Sequence, residues 1–331
     1  MAGQAAAALR AALTCLKRIG VEPETAPPSL VATVALVPPV AAGAIFFRLV
    51  ALEAVVIAVG AGLLAHLAAR LLGQPLDGTP LLPALVAVAL LGSGATVLWA
   101  AVVAVLAAVL ELGRARYVPA ARLQVGLLAY VAVLLLSRGA AAVYLSPDGV
   151  QTSEPIRLWL QLGDKAPFDP VRLYVGNVAG PVLATSMLAV AVGAAWLWYS
   201  RRLSLLVVLT FVAGALVPIA VERWSPGYQL ASGPLWFVAA LVLADRHMLP
   251  RSGVGRPLLG FLAGALALAV RARGFAIEAS VVAVAGMQAL NVALQGLDWV
   301  RHHREESAAR LRDLRDAALA LGRPRRPRPA D

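Results

Sequence analysis

The chain has 331 residues, 60% of them hydrophobic and 14% charged, with a formal net charge of +11 and a mean hydropathy of +0.78. Soluble domains carry about 45–50% apolar and about 25% charged residues; here the apolar excess comes in long runs, which excludes a soluble enzyme domain and reads as an all-α, polytopic integral membrane protein. The basic residues sit in short connections and at the two ends, as the positive-inside bias places them, so the partner they imply is the lipid bilayer and not nucleic acid.

In residues 1–28, Leu9, Leu13 and Leu16 recur at helical spacing, and Arg10, Lys17 and Arg18 follow the first alanine run. That order is not a signal peptide; it predicts a short amphipathic segment on the cytoplasmic surface. The membrane domain, 29–298, shows apolar runs near 29–47, 50–68, 81–92, 95–112, 123–143, 182–199, 203–220, 230–244, 257–270 and 277–296. Ten crossings put both termini on one side, together with Arg70, Arg114, Arg116, Arg201, Arg202, Arg246, Arg251 and Arg256. The positive-inside rule makes that side cytoplasmic, and the expected location is the cell inner (cytoplasmic) membrane. Arg48, Arg138, Arg223, Arg271 and Arg273 are exceptions at the outer end.

The runs at 81–92 and 230–244 are too short to cross alone, and each is the third element of a five-helix half. Each opens with Pro or Gly, in "DGTPLLPAL" (Asp77–Leu85) and "ASGPLWFVA" (Ala231–Ala239). Two inverted five-helix repeats with broken short helices are therefore expected, and such breaks point to a central site. The tail, 299–331, reads as a charged amphipathic helix followed by the basic, Pro-rich "RPRRPRPAD".

Ionisable residues inside the apolar runs are the functional candidates. Glu53, near the outer end of the second run, and Asp77, at the start of the first broken helix, are the ion-path candidates; an interfacial Glu and a helix-capping Asp are the competing readings. Arg138 and Glu278 read as snorkelling to the interface, Asp245 as an ion pair with Arg246 or Arg251, and Gln288 and Asn291 as interhelical packing groups. One cysteine, Cys15, leaves no ligand set for an iron–sulfur cluster. His66 and His247 lie near span ends and His302 and His303 in the tail, so no haem is expected and no metal site is drawn.

The polar loop from Leu145 to Arg172 carries one more acid than base and falls on the outer side, with Trp159 expected at the headgroup level. It begins "SPDGVQTSEPI" (Ser146–Ile156). With "LLGQPLDGTPLLPALVAVAL" (Leu71–Leu90), "YVGNVAGPVLATSMLAVAVGAAWLW" (Tyr174–Trp198) and "SGPLWFVAALVLADRHMLPRSGVGRPLLGFLAG" (Ser232–Gly264), it resembles the membrane family that contains RnfD of the Rnf electron-transport complex and NqrB of the Na⁺-translocating NADH:quinone reductase. The resemblance covers about residues 29–298.

It implies an ion-translocating redox complex with other membrane subunits as partners, in which this subunit passes electrons through flavin. In the family, a loop threonine carries FMN as a phosphoester. Matching Asp148, Gly149 and Pro155 to the family loop puts Glu154 at that threonine. A carboxylate would form a mixed anhydride, so the resemblance implies FMN or riboflavin held without a covalent bond, with Thr152 and Ser153 as the hydroxyls for a shifted attachment. Thr185 and Ser186 match the family's Thr-Ser, whereas Ala184 stands where the family has Glu. A flavin-free transporter or channel, and a scaffold that docks redox partners, remain as alternatives.

Overall fold

The computed structural model describes residues 27–73, 80–119, 121–163, 169–250 and 253–296. The chain divides into two compact units after Gln288, and the core and site described below belong to the first. Among the described residues, three helical stretches are long and apolar enough to cross a bilayer: Pro28–Leu71, Val97–Tyr117 and Glu278–Gly296. The first has 44 residues. At about 1.5 Å per residue that is about twice the thickness of a hydrocarbon core, and it breaks accordingly into α1 (Pro28–Ala35), α2 (Val37–Phe47) and α3 (Leu49–Leu71).

In chain order there follow α4 (Leu81–Ala89), α5 (Val97–Tyr117), α6 (Val125–Leu136), two short helices in the long loop, α7 (Pro155–Leu162) and α8 (Pro170–Val175), then α9 (Met187–Tyr199), α10 (Leu205–Val221), a one-turn α11 (Pro226–Leu230), α12 (Gly233–Leu243), α13 (Gly255–Arg271) and α14 (Glu278–Gly296). A helix overlaps each predicted run, although among the described residues only three stretches are long enough to cross alone. The fifth stops at Leu136 rather than 143, and the sixth starts at Met187 rather than 182. Val182 to Ser186 are buried outside any helix, whereas of residues 137–143 only Ala141 is buried and Ala140–Ala142 form a single 3-10 turn; hydropathy alone cannot tell such segments from a span.

The helices are packed inside out relative to a soluble protein. On α3 the buried residues are Ala51, Ala54, Ala58, Ala61, Gly62, Ala65 and Ala69, while Leu52, Val56, Leu63, Leu64 and Leu67 are exposed. Lipid is as apolar as leucine, so large side chains gain nothing by facing inward, and small ones let backbones approach. The closest approach is between α10 and α13. A β-carbon on Gly264 would collide with the Phe211 carbonyl oxygen, and one on Gly214 with that of Phe261. Gly260 and Gly264 form a small-xxx-small pair on the same face of α13.

The two short helices occupy the interior. Every residue of α4 from Leu82 to Ala89 is buried, as is all of α12 except Trp236. From Phe237 to Leu243 α12 winds as a π-helix. Residue 89 marks the end of α4, and the chain beyond it turns out of the helix. There it pairs antiparallel with the segment entering α9: Ser93 N–H donates to Gly180 O (3.3 Å), Val182 N–H to Leu91 O (2.8 Å) and Leu183 N–H to Ala89 O (3.2 Å). Gly92 and Gly94 N–H donate to Ala141 and Val143. The end of α12 is closed in the same manner, Ser204 N–H donating to Ala244 O and Arg246 N–H to Arg202 O.

Connections gather at two ends. Residues 92–94, 141–145, 154–157, 228–229, 271 and 278 meet at one, called the outer end below. At the other, Arg122 donates to Leu249 O, Gln124 N–H to Gln288 Oε1, and Trp196 Nε1 to Val31 O. Among the described residues, four helix ends turn on an arginine with positive φ, namely Arg48, Arg138, Arg201 and Arg223. The left-handed region costs a non-glycine residue about 1–2 kcal/mol, partly offset by a cation at a helix C-terminus.

Replacing Gly264 with leucine should force α10 and α13 apart and lower the melting temperature of the detergent-solubilised protein by several degrees. Gly113→Ala, on α5 where a β-carbon meets nothing within 4 Å, should raise it or leave it unchanged, because alanine is worth up to about 1 kcal/mol in a helix interior.

Candidate functional site

The polar loop opens as a hairpin. Gly149 N–H donates to Ser146 O (2.8 Å), Ser146 N–H to Val150 O (2.8 Å), and Leu145 bridges Gln151. Pro147 and Asp148 fill the two turn positions and Gly149 takes φ +81°, which only glycine adopts without strain. Asp148, Gly149, Thr152 and Ser153 are all exposed on this hairpin or just after it.

At Glu154 the chain turns inward. Its side chain is fully buried and caps α7, Oε2 accepting Ile156 N–H (2.7 Å) and Oε1 accepting Arg157 N–H (3.0 Å). With Pro155 at the first helical position, this is the start signal that Glu-Pro encodes. Trp159 packs edge-on against Trp224 (centroids 5.6 Å apart, planes at 81°) and lies 5.9 Å from Tyr228. It is buried in protein.

Around Glu154 other elements converge. Glu278, the first residue of α14, is 5% exposed; its Oε1 accepts the Tyr144 hydroxyl (2.9 Å) and lies 3.6 Å from Arg157 Nη2. Arg271, the last residue of α13, is fully buried, and its Nη1 donates to Gln229 O and Gln229 Oε1 (2.9 Å each). An acid opening one helix and a cation closing another both suit the helix dipoles. Arg271 Nε and Nη2, Gln229 Nε2, Glu278 Oε2 and Ser232 Oγ have no partner among the described residues. A cavity of about 20 Å³ next to Glu154 is lined also by Gly180, Thr185, Ser232 and Gly233, and it has room for one water.

Burial pushes the Glu154 carboxyl up to about 7, with the Glu278 charge adding to the shift, while Ile156 N–H, Arg271 and Arg157 oppose it. Burial likewise raises the Tyr144 hydroxyl, and it raises Tyr228 to about 12, with Glu154 adding to the latter shift.

Of the residues singled out in the sequence, Glu154 and Thr185 come together at one cavity. Ser186, next to Thr185, caps α9 by accepting Ala189 N–H (3.2 Å), and Thr185 Oγ1 donates to Pro181 O. Glu53 is exposed on the first turns of α3, and Asp77 lies outside the described residues. Glu278, which its place near a span end marks as snorkelling, is instead buried; Arg271, Gln229 and Tyr144 join the site with no motif to announce them. The one signal for Arg271 is its breach of the positive-inside pattern, a cation at the end where cations are scarce. Asp245 is buried and accepts His247 N–H (3.0 Å), while Arg246 is exposed.

A family model described as NQR2, RnfD, RnfE matches residues 24–296. The chain belongs to the NQR2, RnfD, RnfE family. It is therefore a membrane subunit of the Rnf/Nqr type, a class that works beside other membrane subunits. No curated protein matches the chain.

The flavin ester expected of an NQR2, RnfD, RnfE member needs a hydroxyl at position 154 and room beside it. The carboxylate there has both oxygens engaged by backbone N–H groups, and the adjoining cavity of about 20 Å³ compares with about 300–1,000 Å³ for small-molecule pockets. A larger space, about 320 Å³ against α9, α10 and α12, is lined by apolar residues such as Met187, Ala191, Trp198 and Trp236 and offers no seat for a phosphate. The residues at position 154 do not fit an FMN ester.

Arg271→Met should leave two buried carboxylates without their cation. Loss of one partner of a buried charge cluster costs about 3–5 kcal/mol, read as a large drop in thermal stability in detergent, and Glu278→Gln added to it should restore part of the loss.

Proposed function

We propose that the chain is the membrane subunit of an ion-translocating electron-transport assembly of the Rnf/Nqr type, seated in the cell inner membrane with both termini cytoplasmic, and that it works without a flavin ester on its outer loop. Family membership supports the assembly, and the buried, helix-capping Glu154 carries the departure from it. The broken helices α4 and α12, closed by hydrogen bonds from turns in the interior, supply the scaffold for an ion path between the two halves. The second reading is a transporter on the same scaffold that moves its cargo outside any redox assembly; the buried carboxylates at the outer end favour it.

In-gel flavin fluorescence of the denatured, purified protein tests the departure. No covalent signal is expected; a signal that disappears in Thr152→Ala or Ser153→Ala would place the ester on a neighbouring hydroxyl and overturn the proposal. Orientation is checked separately, by placing Ser153→Cys in a chain whose single cysteine is removed by Cys15→Ser. Labelling in intact cells by a membrane-impermeant maleimide is expected; labelling only after lysis would reverse the topology.

A further inference from the structure

Two carboxylates and one guanidinium sit together at the outer end, sealed from solvent: Glu154 and Arg271 at 0% exposure and Glu278 at 5%. The nearest other cation, Arg157, has a side chain 46% exposed and stands 3.6 Å from Glu278, not on Glu154. Among the buried groups of this cluster the acids thus outnumber the base by one, a costly arrangement where water cannot screen it. A proton on one carboxyl removes the excess.

The groups facing Glu154 come from every element packed on it. They are Arg157 on α7, Tyr144 on the hairpin with Tyr130 of α6 behind it, Tyr228 on α11, Arg271 on α13 and Glu278 on α14. The tyrosines stay neutral at physiological pH, which leaves the two acids and two arginines to set the balance. Beside Glu154 lies a cavity of one-water size, and one of its walls is Ser232 Oγ, a buried hydroxyl with no partner among the described residues. Glu278 Oε2, Arg271 Nε and Arg271 Nη2 are buried in the same unpartnered state. A carboxylate serving as a helix cap and nothing more does not require these unused donors and acceptors around it.

We propose that Glu154 is an exchangeable proton site. It takes one proton from the outer aqueous phase by way of the adjoining cavity and returns it by the same route, at the position where relatives are expected to carry flavin. The step is a plain protonation, carboxylate plus H⁺ giving carboxylic acid, with no electron moved. The acid form has lost an acceptor, so one of the two N–H bonds that seat α7 weakens when the proton binds. Because the folded carboxyl titrates near 7 against an ordinary 4.5, the folded state binds the proton more tightly than the unfolded chain. The stability this contributes is complete below about pH 4.5 and is lost as pH rises through about 7.

The site lies beyond the proposed function and is tested independently of flavin content. The full-length protein in nanodiscs is followed by infrared spectroscopy between about pH 5 and about pH 9. A protonated carboxyl band is expected to disappear on alkalinisation with a midpoint near 7. Glu154→Gln should abolish that transition, while circular dichroism confirms that the helices remain. Glu278→Gln should keep the transition but lower its midpoint, since the like charge is gone; a role confined to capping would move neither. Absence of a titrating carboxyl band in the folded wild type, or its survival in Glu154→Gln, would overturn the proposal. So would a midpoint that falls steadily as sodium chloride replaces choline chloride, because the occupant would then be a metal cation.

Discussion

Backbone that leaves the helix inside a bilayer must find every hydrogen bond within the protein, and most of this architecture follows from that constraint. The helices α4 and α12 are too short to span, so their ends release amide and carbonyl groups in the interior. Those groups are met by other interrupted segments: 89–93 by 180–183 and 141–143, and 244–246 by 202–204. The longer helices supply the walls. Their alanine and glycine faces bring backbones close, and their leucine faces are left to lipid.

The same ordering of the outer end produces the buried charge cluster. Once the hairpin, α7 and α11 cover the ends of α13 and α14, Arg271 and Glu278 are cut off from water, although each stands at the terminus of its helix where a charge of its sign is favoured. Glu154 completes the set from the loop. Desolvation dominates over attraction here, since burial outweighs the two arginines in setting the Glu154 proton affinity. Polar contacts in the cluster are consequently selective: Arg271 spends one nitrogen on Gln229 and Glu278 one oxygen on Tyr144, while their remaining buried atoms stay unpartnered among the described residues.

Much of the fold was legible because its signals are local. Runs of apolar residues marked the spans, and Gly-Pro marked the start of α12. What escaped notice depends on distant partners. Ala140–Val143 and Val182–Leu183 are apolar enough for a span, yet they are held out of regular helix by residues about 50–90 positions away. Arg271 and Glu278 carry the composition of interfacial residues, and only the covering loop, far off in sequence, decides that they are buried. The site was half visible: Glu154 stood out against the family loop, but its partners have no motif.

The packing around Glu154 also limits what another residue could do there. A threonine there would offer a hydroxyl, but it would be shorter, would cap α7 with one oxygen instead of two, and would leave Arg271 with one buried counter-charge fewer. The surrounding residues have closed on the carboxylate until only a water-sized gap remains. Interacting neighbours of this kind make substitutions non-additive. A threonine introduced at position 154 alone would thus supply a hydroxyl without the space a flavin ring requires.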